Sequence, residues 1–228
     1  MTLQKYDILG KKRAAARRAT GLPGPSRRAL GEKAQKGRGR RCSQKREVLT
    51  EMDSFAQLAA RRQSCRAYDP SRQVEQEKLE ACLQAARLAP SACNSQPWHI
   101  TLAQGGLAAQ VGECLRGMGM NKFTADCPVF AVVTEDGYNP TAAAGARLKD
   151  QDYRSVDIGI MAAHFTLQAA DLGLGSCILG WFDEKKLQRL LGADKRVRLV
   201  LALGYPRPDD PQRPKTRKPL AALVSRPE

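Results

Sequence analysis

Arg87-Leu88-Ala89-Pro90-Ser91-Ala92-Cys93-Asn94-Ser95-Gln96-Pro97-Trp98 joins a helical pattern to a strand-like one. Leu79, Cys82, Leu83 and Ala86 repeat on one face of a helix at about 75–88, while Trp98, Ile100 and Leu102 alternate with polar residues. Pro90 stops the helix, and each proline biases the residue before it towards extended backbone. Between the prolines lie small residues and three polar side chains, Ser91, Asn94 and Gln96, able to donate and accept hydrogen bonds. A stiff loop of amides and hydroxyls close to main chain suits a flat, heteroatom-rich ring better than a metal or a nucleophile. It would serve equally well as an ordinary helix-to-strand connection, and its neighbours must decide.

The flanking sequence is helix and strand in mixed order. Phe55, Leu58 and Ala59 start a short helix that ends in Arg61-Arg62-Gln63-Ser64-Cys65-Arg66. Residues 106–117 read as a helix and 129–134 as an apolar strand, whereas 135–150 mix Gly, Pro and polar residues as a loop or lid. The longest helical pattern covers 152–172, with Val156, Ile160, Ala163, Leu167 and Ala170 at helical spacing and Gly173 as its cap. A short buried strand, Ser176-Cys177-Ile178-Leu179, a helix at 183–191 and a strand at 197–203 follow.

The 228 residues are enough for one well-cored domain, and 42% hydrophobic content fits a globular chain. A net charge of +15 points first to nucleic acid or an anionic surface. Yet residues 1–51 hold fifteen of the 38 bases and four of the 23 acids, leaving 23 bases and 19 acids for the rest. The basicity therefore belongs mostly to a leader, which is expected to be disordered or to lie upstream of a true start at Met52; residues 52–228 form the domain. A basic nucleic-acid-binding protein using that leader is the rival to an enzyme, and the even charge beyond it makes nucleic acid an unlikely partner.

Seven cysteines, at 42, 65, 82, 93, 114, 127 and 177, show no C-x-x-C spacing, and two histidines, His99 and His164, offer little for a metal centre or a Ser-His-Asp machine. Scattered thiols fit a reducing cytoplasm, and no apolar run reaches membrane-spanning length. Gly173-Leu174-Gly175 fails as a dinucleotide fingerprint because it follows a helix and precedes a strand. Chemistry in such a chain would sit on a cofactor, with no side chain as catalytic acid or base. Arg61, Arg62 and Arg66 early and Lys215, Arg217 and Lys218 late would make a phosphate site if the fold brings them together.

Arg61-Arg62-x-Ser64-x-Arg66-x-Tyr68-Asp69, the Ala89-Pro90-Ser91-x-x-Asn94-Ser95-Gln96-Pro97-Trp98-His99 element and Gly173-Leu174-Gly175 stand in a telling order. With Leu179-Gly180-Trp181-Phe182-Asp183, Leu203-Gly204-Tyr205-Pro206 and Pro214-Lys215-Thr216-Arg217, they resemble the FMN-dependent nitroreductase family across residues 52–220. The resemblance implies an α+β fold, a central, mostly antiparallel sheet flanked by helices, in a homodimer with swapped terminal segments and FMN at its interface. It implies that Arg62, Lys215 and Arg217, with Arg61 near them, hold the phosphate, that Ser64 adjoins the ribityl chain, and that Arg66 and Asn121 reach the pyrimidine edge. Pro90, Ser91, Asn94 and Gln96 would come from the partner subunit, and backbone of Ile178, Leu179 and Gly180 would line the ring.

The implied activity carries hydride from NADPH or NADH through flavin to a small oxidant such as a nitroaromatic or quinone. A flavin-binding protein without turnover is the remaining alternative. Two departures from better-known members bear on the oxidant: no long insertion precedes the long helix, and position 180 is glycine where some relatives carry an acid.

Overall fold

The computed structural model describes residues 54–227. Residues 1–51, with their expected disorder, the start at Met52 and the nucleic-acid reading built on them, lie outside the described residues. The chain opens on helix α1 (Phe55–Arg61) and continues with α2 (Gln76–Arg87), strand β1 (Trp98–Gln104) and α3 (Gly105–Leu115). Strand β2 (Val129–Glu135), α4 (Pro140–Lys149) and the long α5 (Tyr153–Asp171) follow, then β3 (Gly175–Leu179), α6 (Glu184–Leu191) and β4 (Val197–Gly204). The strands form one antiparallel sheet in the order β1-β2-β4-β3, giving the α+β arrangement expected.

Alternation along β2 and β4 builds a core on each side of that sheet. Val129, Ala131, Val133, Leu201 and Leu203 face α2 and α5, where they meet Leu79, Cys82, Met161 and Phe165. Phe130, Val132, Val200 and Ala202 face the opposite way, onto Val111 and Leu115 of α3 and Leu187 of α6. Both faces of β2 and β4 are covered, which is why their sequences read as continuous apolar runs. Burying each such side chain contributes about 1.5–3 kcal/mol.

Two expectations about helices needed correcting. Residues 140–149, expected within a loop or lid, form α4: the Asn139 side chain accepts from Thr141 N–H at 2.9 Å, Pro140 opens the helix, and Asp150 closes it in a left-handed conformation. The long helix also buries a different stripe. Ile158, Met161, Ala162, Phe165 and Ala169 pack into the core; of the expected pattern Ala170 is buried and Ile160 half-buried against the core, while Ala163 is exposed and Val156 remains 49% exposed. A second apolar stripe, Val156-Ile160-Ala163-Leu167, thus runs along the outer side of α5. Its C-terminus follows the expectation: Gly173 (φ +74°) donates to Ala170 O at 3.2 Å and Leu174 to Ala169 O at 2.8 Å.

Among the described residues strand β3 is an edge, paired along its length only with β4, and Ile178 is exposed rather than buried. Its start is held by the segment after α1, where Ser64 bridges Ser176 in parallel and Cys65 N–H donates to Ser176 O at 2.9 Å. The approach is tight: a Cβ at Gly175 would lie 2.7 Å from Cys65 Sγ and 2.8 Å from its Cβ.

Gly175→Ala should therefore cost about 1–3 kcal/mol, lowering the melting temperature by about 2–12 °C; an unchanged melting temperature would contradict this packing. Five thiols are buried, and burial pushes Cys65 up to about 11 and Cys82 and Cys127 up to about 12. They stay protonated at pH 8 and should resist alkylation until the protein unfolds, whereas the exposed Cys93 reacts first among the described cysteines. Mass spectrometry of alkylated peptides reads this directly, and native labelling of Cys65, Cys82, Cys114, Cys127 or Cys177 would refute it.

Candidate functional site

The segment Arg62–Ser64 leaves α1 extended and is stapled to the chain's late residues. Gln63 uses both ends of its amide, donating to Pro211 O at 3.2 Å and accepting from Arg213 N–H at 3.0 Å. The Arg213 guanidinium donates to Ser64 O at 2.8 Å and pairs with Asp210 at 2.7 Å, while the Lys215 ammonium donates to the carbonyl of Arg62. Early and late basic clusters, 150 residues apart in sequence, therefore meet.

The electrostatics carry the mark of that meeting. Lys215 has its pKa lowered, first by desolvation and then by the charges of Arg62, Arg217 and Arg213. Four cations thus share one end of the molecule, and Asp210 offsets one of them. A phosphate, with two or more charges and several acceptor oxygens, answers such a cluster. Arg213 was not among the expected site residues. It stands one position before the Pro214-Lys215-Thr216-Arg217 element, in the same basic run, and that run was the only signal for it.

Of the other early residues, Arg61 turns to the end of α5 and donates to Ala170 O at 3.1 Å. Ser64 lies beside β3 through its bridge to Ser176, and Arg66 is exposed, with its charge acting on Cys177 in that strand. Backbone groups alternate in direction along a strand. With the carbonyl of Ser176 engaged by Cys65, the N–H and C=O of Ile178 point to the same edge, past the end of the Ser64 bridge. Gly180 beyond it is exposed, and a Cβ there would meet nothing within 4 Å. Arg62, Ser64, Arg66, Ile178, Leu179, Gly180, Lys215 and Arg217 are thus grouped along one sheet edge.

The Pro90–Gln96 loop is not part of that group within one chain. It is anchored at the opposite end of α5, where the buried carboxylate of Asp157, 4% exposed, accepts from Ala92 N–H at 3.1 and 3.2 Å. Asp157 and Ala170 are thirteen residues apart on α5, about 20 Å of helix rise. The loop itself is tightly wound. Ser91 Oγ accepts from Gln96 N–H at 2.9 Å, Ser95 Oγ donates to Ala92 O at 2.6 Å, and the Gln96 amide donates to Asn94 Oδ1 at 3.2 Å. Cys93, Asn94 and Gln96 all have positive φ, near +50°, a costly conformation for Cys and Gln. Pro90, Asn94 and Gln96 remain exposed on it.

Asn121 spends its amide on structure, donating to Leu115 O at 3.2 Å and Trp181 O at 3.3 Å, which leaves its Oδ1 for any further contact. His164 Nδ1 lies 2.9 Å from Ile160 O in its own helix. Among the described residues no cluster of His, Cys, Asp or Glu could hold a metal, and no helix is long and apolar enough to cross a membrane.

With this geometry in place, comparison with known proteins is informative. The family model described as "Nitroreductase family" matches residues 59–117 and 109–205. A protein of Archaeoglobus fulgidus provisionally named NADH dehydrogenase/NAD(P)H nitroreductase is 30% identical over 168 residues, covering 68% of this chain and 87% of its own. Among solved structures, a nitroreductase family protein of Clostridium difficile 630 superposes with a TM-score of 0.61 at 28% identity, over 76% of this chain and 98% of that one. An FMN-dependent nitroreductase of Clostridium difficile R20291 gives 0.55 at 26%, over 65% and 86%. A sheet of this order, a stapled basic end and a family match spanning most of the described chain agree: the chain belongs to the nitroreductase family.

Proposed function

We propose that the chain is an FMN-dependent oxidoreductase that takes hydride from NADPH or NADH and reduces a small oxidant such as a nitroaromatic or quinone. The observation that carries this reading is the convergence of Arg62, Arg213, Lys215 and Arg217 beside the open edge of β3. The cluster is short of negative charge, and a flavin mononucleotide fits that need at its phosphate and the strand edge along its ring. The relatives support the same assignment, one named for NAD(P)H and one for FMN.

Bound flavin would supply the two-electron transfer between nicotinamide and oxidant. This chain's residues hold and orient. Arg62, Lys215 and Arg217 bind the phosphate, and Arg213 keeps Ser64 in place for the ribityl chain. Arg66, exposed at the pyrimidine end, stabilises negative charge that develops there, and Asn121 offers its free oxygen to the same edge. Ile178, Leu179 and Gly180 present backbone to the ring. For a quinone the balance is NAD(P)H, one proton and quinone giving NAD(P)+ and hydroquinone, the hydride supplying one hydrogen and water the proton.

The working unit in this reading is a homodimer. The outer stripe of α5, Val156-Ile160-Ala163-Leu167, is only partly covered among the described residues, with Val156 and Ala163 exposed and Ile160 half-buried against the core. Pairing it antiparallel with a second copy would bring the Pro90–Gln96 loop of one chain to the basic end of the other, completing each site from two subunits. The late apolar residues Leu220, Leu223 and Val224, all exposed, would reach across as swapped segments. Six unpaired described cysteines suit a reducing, cytoplasmic setting.

The test is the absorbance spectrum of the purified protein, before and after NADPH or NADH is added without oxygen. Flavin bands that bleach are expected; a protein that stays colourless after incubation with FMN would overturn the reading. Arg217→Ala should weaken FMN binding by about 1.5–3 kcal/mol, the worth of a charged hydrogen bond, and unchanged affinity would remove Arg217 from the phosphate site.

A further inference from the structure

Trp181 follows Gly180 directly and is 49% exposed, yet it is fixed at both ends. Its indole N–H donates to Gly117 O at 3.2 Å, and its own carbonyl accepts from the Asn121 amide at 3.3 Å. The turn that receives it is unusual. Met118 and Asn121 both adopt positive φ, at 58° and 51°, and Asn121 is further tied to Leu115 O. That winding leaves Met118 89% and Met120 48% exposed beside the indole's anchor point. A large aromatic surface and two thioethers are thus held towards solvent by hydrogen bonds, in a chain that buries most of its other big apolar side chains.

The patch continues the open edge of β3. The buried Leu179 and then Gly180 separate Ile178 from Trp181, and Gly180 has free space where a side chain would stand. Indole faces and methionine sulfur both favour flat π-systems. Because the indole is already locked, a ligand lying on it pays little to order it. An aliphatic ligand of the same bulk would gain burial there but no stacking.

We propose that Trp181, flanked by Met118 and Met120, is the surface on which the oxidant lies, and that it selects flat aromatic oxidants, nitroarenes and quinones, over saturated ones. The proposal rests on the flavin reading above, since the platform acts only if the Ile178–Gly180 edge carries the ring. Trp181 determines specificity; the electrons move without it.

The test uses the full chain loaded with FMN and kept oxidised, titrated calorimetrically with 2-naphthoate, a flat acid it cannot reduce, and with decalin-2-carboxylate, its saturated counterpart. Trp181→Ala should raise the Kd of naphthoate about tenfold, while Trp181→Phe stays within about threefold. The saturated acid should bind the wild type more weakly and respond little to either change. The KM for a naphthoquinone should follow the naphthoate Kd. Met118→Ser, at a position too exposed to endanger the fold, should raise that Kd about twofold. A naphthoate Kd unmoved by Trp181→Ala and Met118→Ser in FMN-loaded protein would overturn this inference alone. A wild-type chain that takes up no FMN would remove the flavin reading at the loading step, and this inference with it.

Discussion

The Arg213 guanidinium, bonded at once to the Ser64 carbonyl and the Asp210 carboxylate, joins the two ends of the described chain. Together with the two bonds of the Gln63 amide, it holds the late segment against the residues leaving α1, where polar contacts do the joining. With it, Lys215 and Arg217 are brought up to Arg62. Like charges about 4 Å apart near a protein surface repel by about 4 kcal/mol. The fold offsets part of this by giving Arg213 the Ser64 carbonyl and the Asp210 carboxylate, Lys215 the Arg62 carbonyl and Arg217 the Thr216 carbonyl. Stability alone does not call for such a gathering; an anionic ligand does.

The same logic divides the site along α5. Its C-terminal end carries the basic cluster through Arg61 and Ala170, and its N-terminal half carries the strained loop through Asp157. A helix is stiff, so the two halves stay about 20 Å apart within one chain. Positive φ at Cys93, Asn94 and Gln96 is tolerated because Asp157 and Ser91 over-determine the loop from both sides. Such a loop is shaped before any ligand arrives, which lowers the entropy cost of using it. In the proposed homodimer, the outer apolar stripe of α5 would be the route by which two half-sites become whole ones.

Much of the fold was legible because its signals were local. Alternation disclosed β1, and continuous apolar runs disclosed β2 and β4, whose two faces are both covered. Gly173 announced the end of α5, and the Schellman bonds to Ala169 and Ala170 explain why. The inner face of α5 was not legible. The helix has two apolar stripes, and periodicity alone cannot say which one meets the sheet. Helix α4 escaped notice because its alanines form no apolar stripe and its start rests on the Asn139 cap. Asp157 and Arg213 could not be read as anchors, since their partners, Ala92 and Ser64, are far away in sequence. Motif-level reading found most of the basic residues that the fold brings together, which lie in short runs. It overlooked the arginine that aligns those runs.

If the gathered cations exist for a phosphate, the ring alone should bind far more weakly than the ring with its phosphate. The most direct measurement compares the Kd of FMN with that of riboflavin, which has the same ring and ribityl chain, by quenching of flavin fluorescence at fixed ionic strength. Charged hydrogen bonds of about 1.5–3 kcal/mol each predict FMN binding at least about a hundredfold tighter. Equal affinities would contradict the account, because Arg62, Lys215 and Arg217 would then have been brought together for something else.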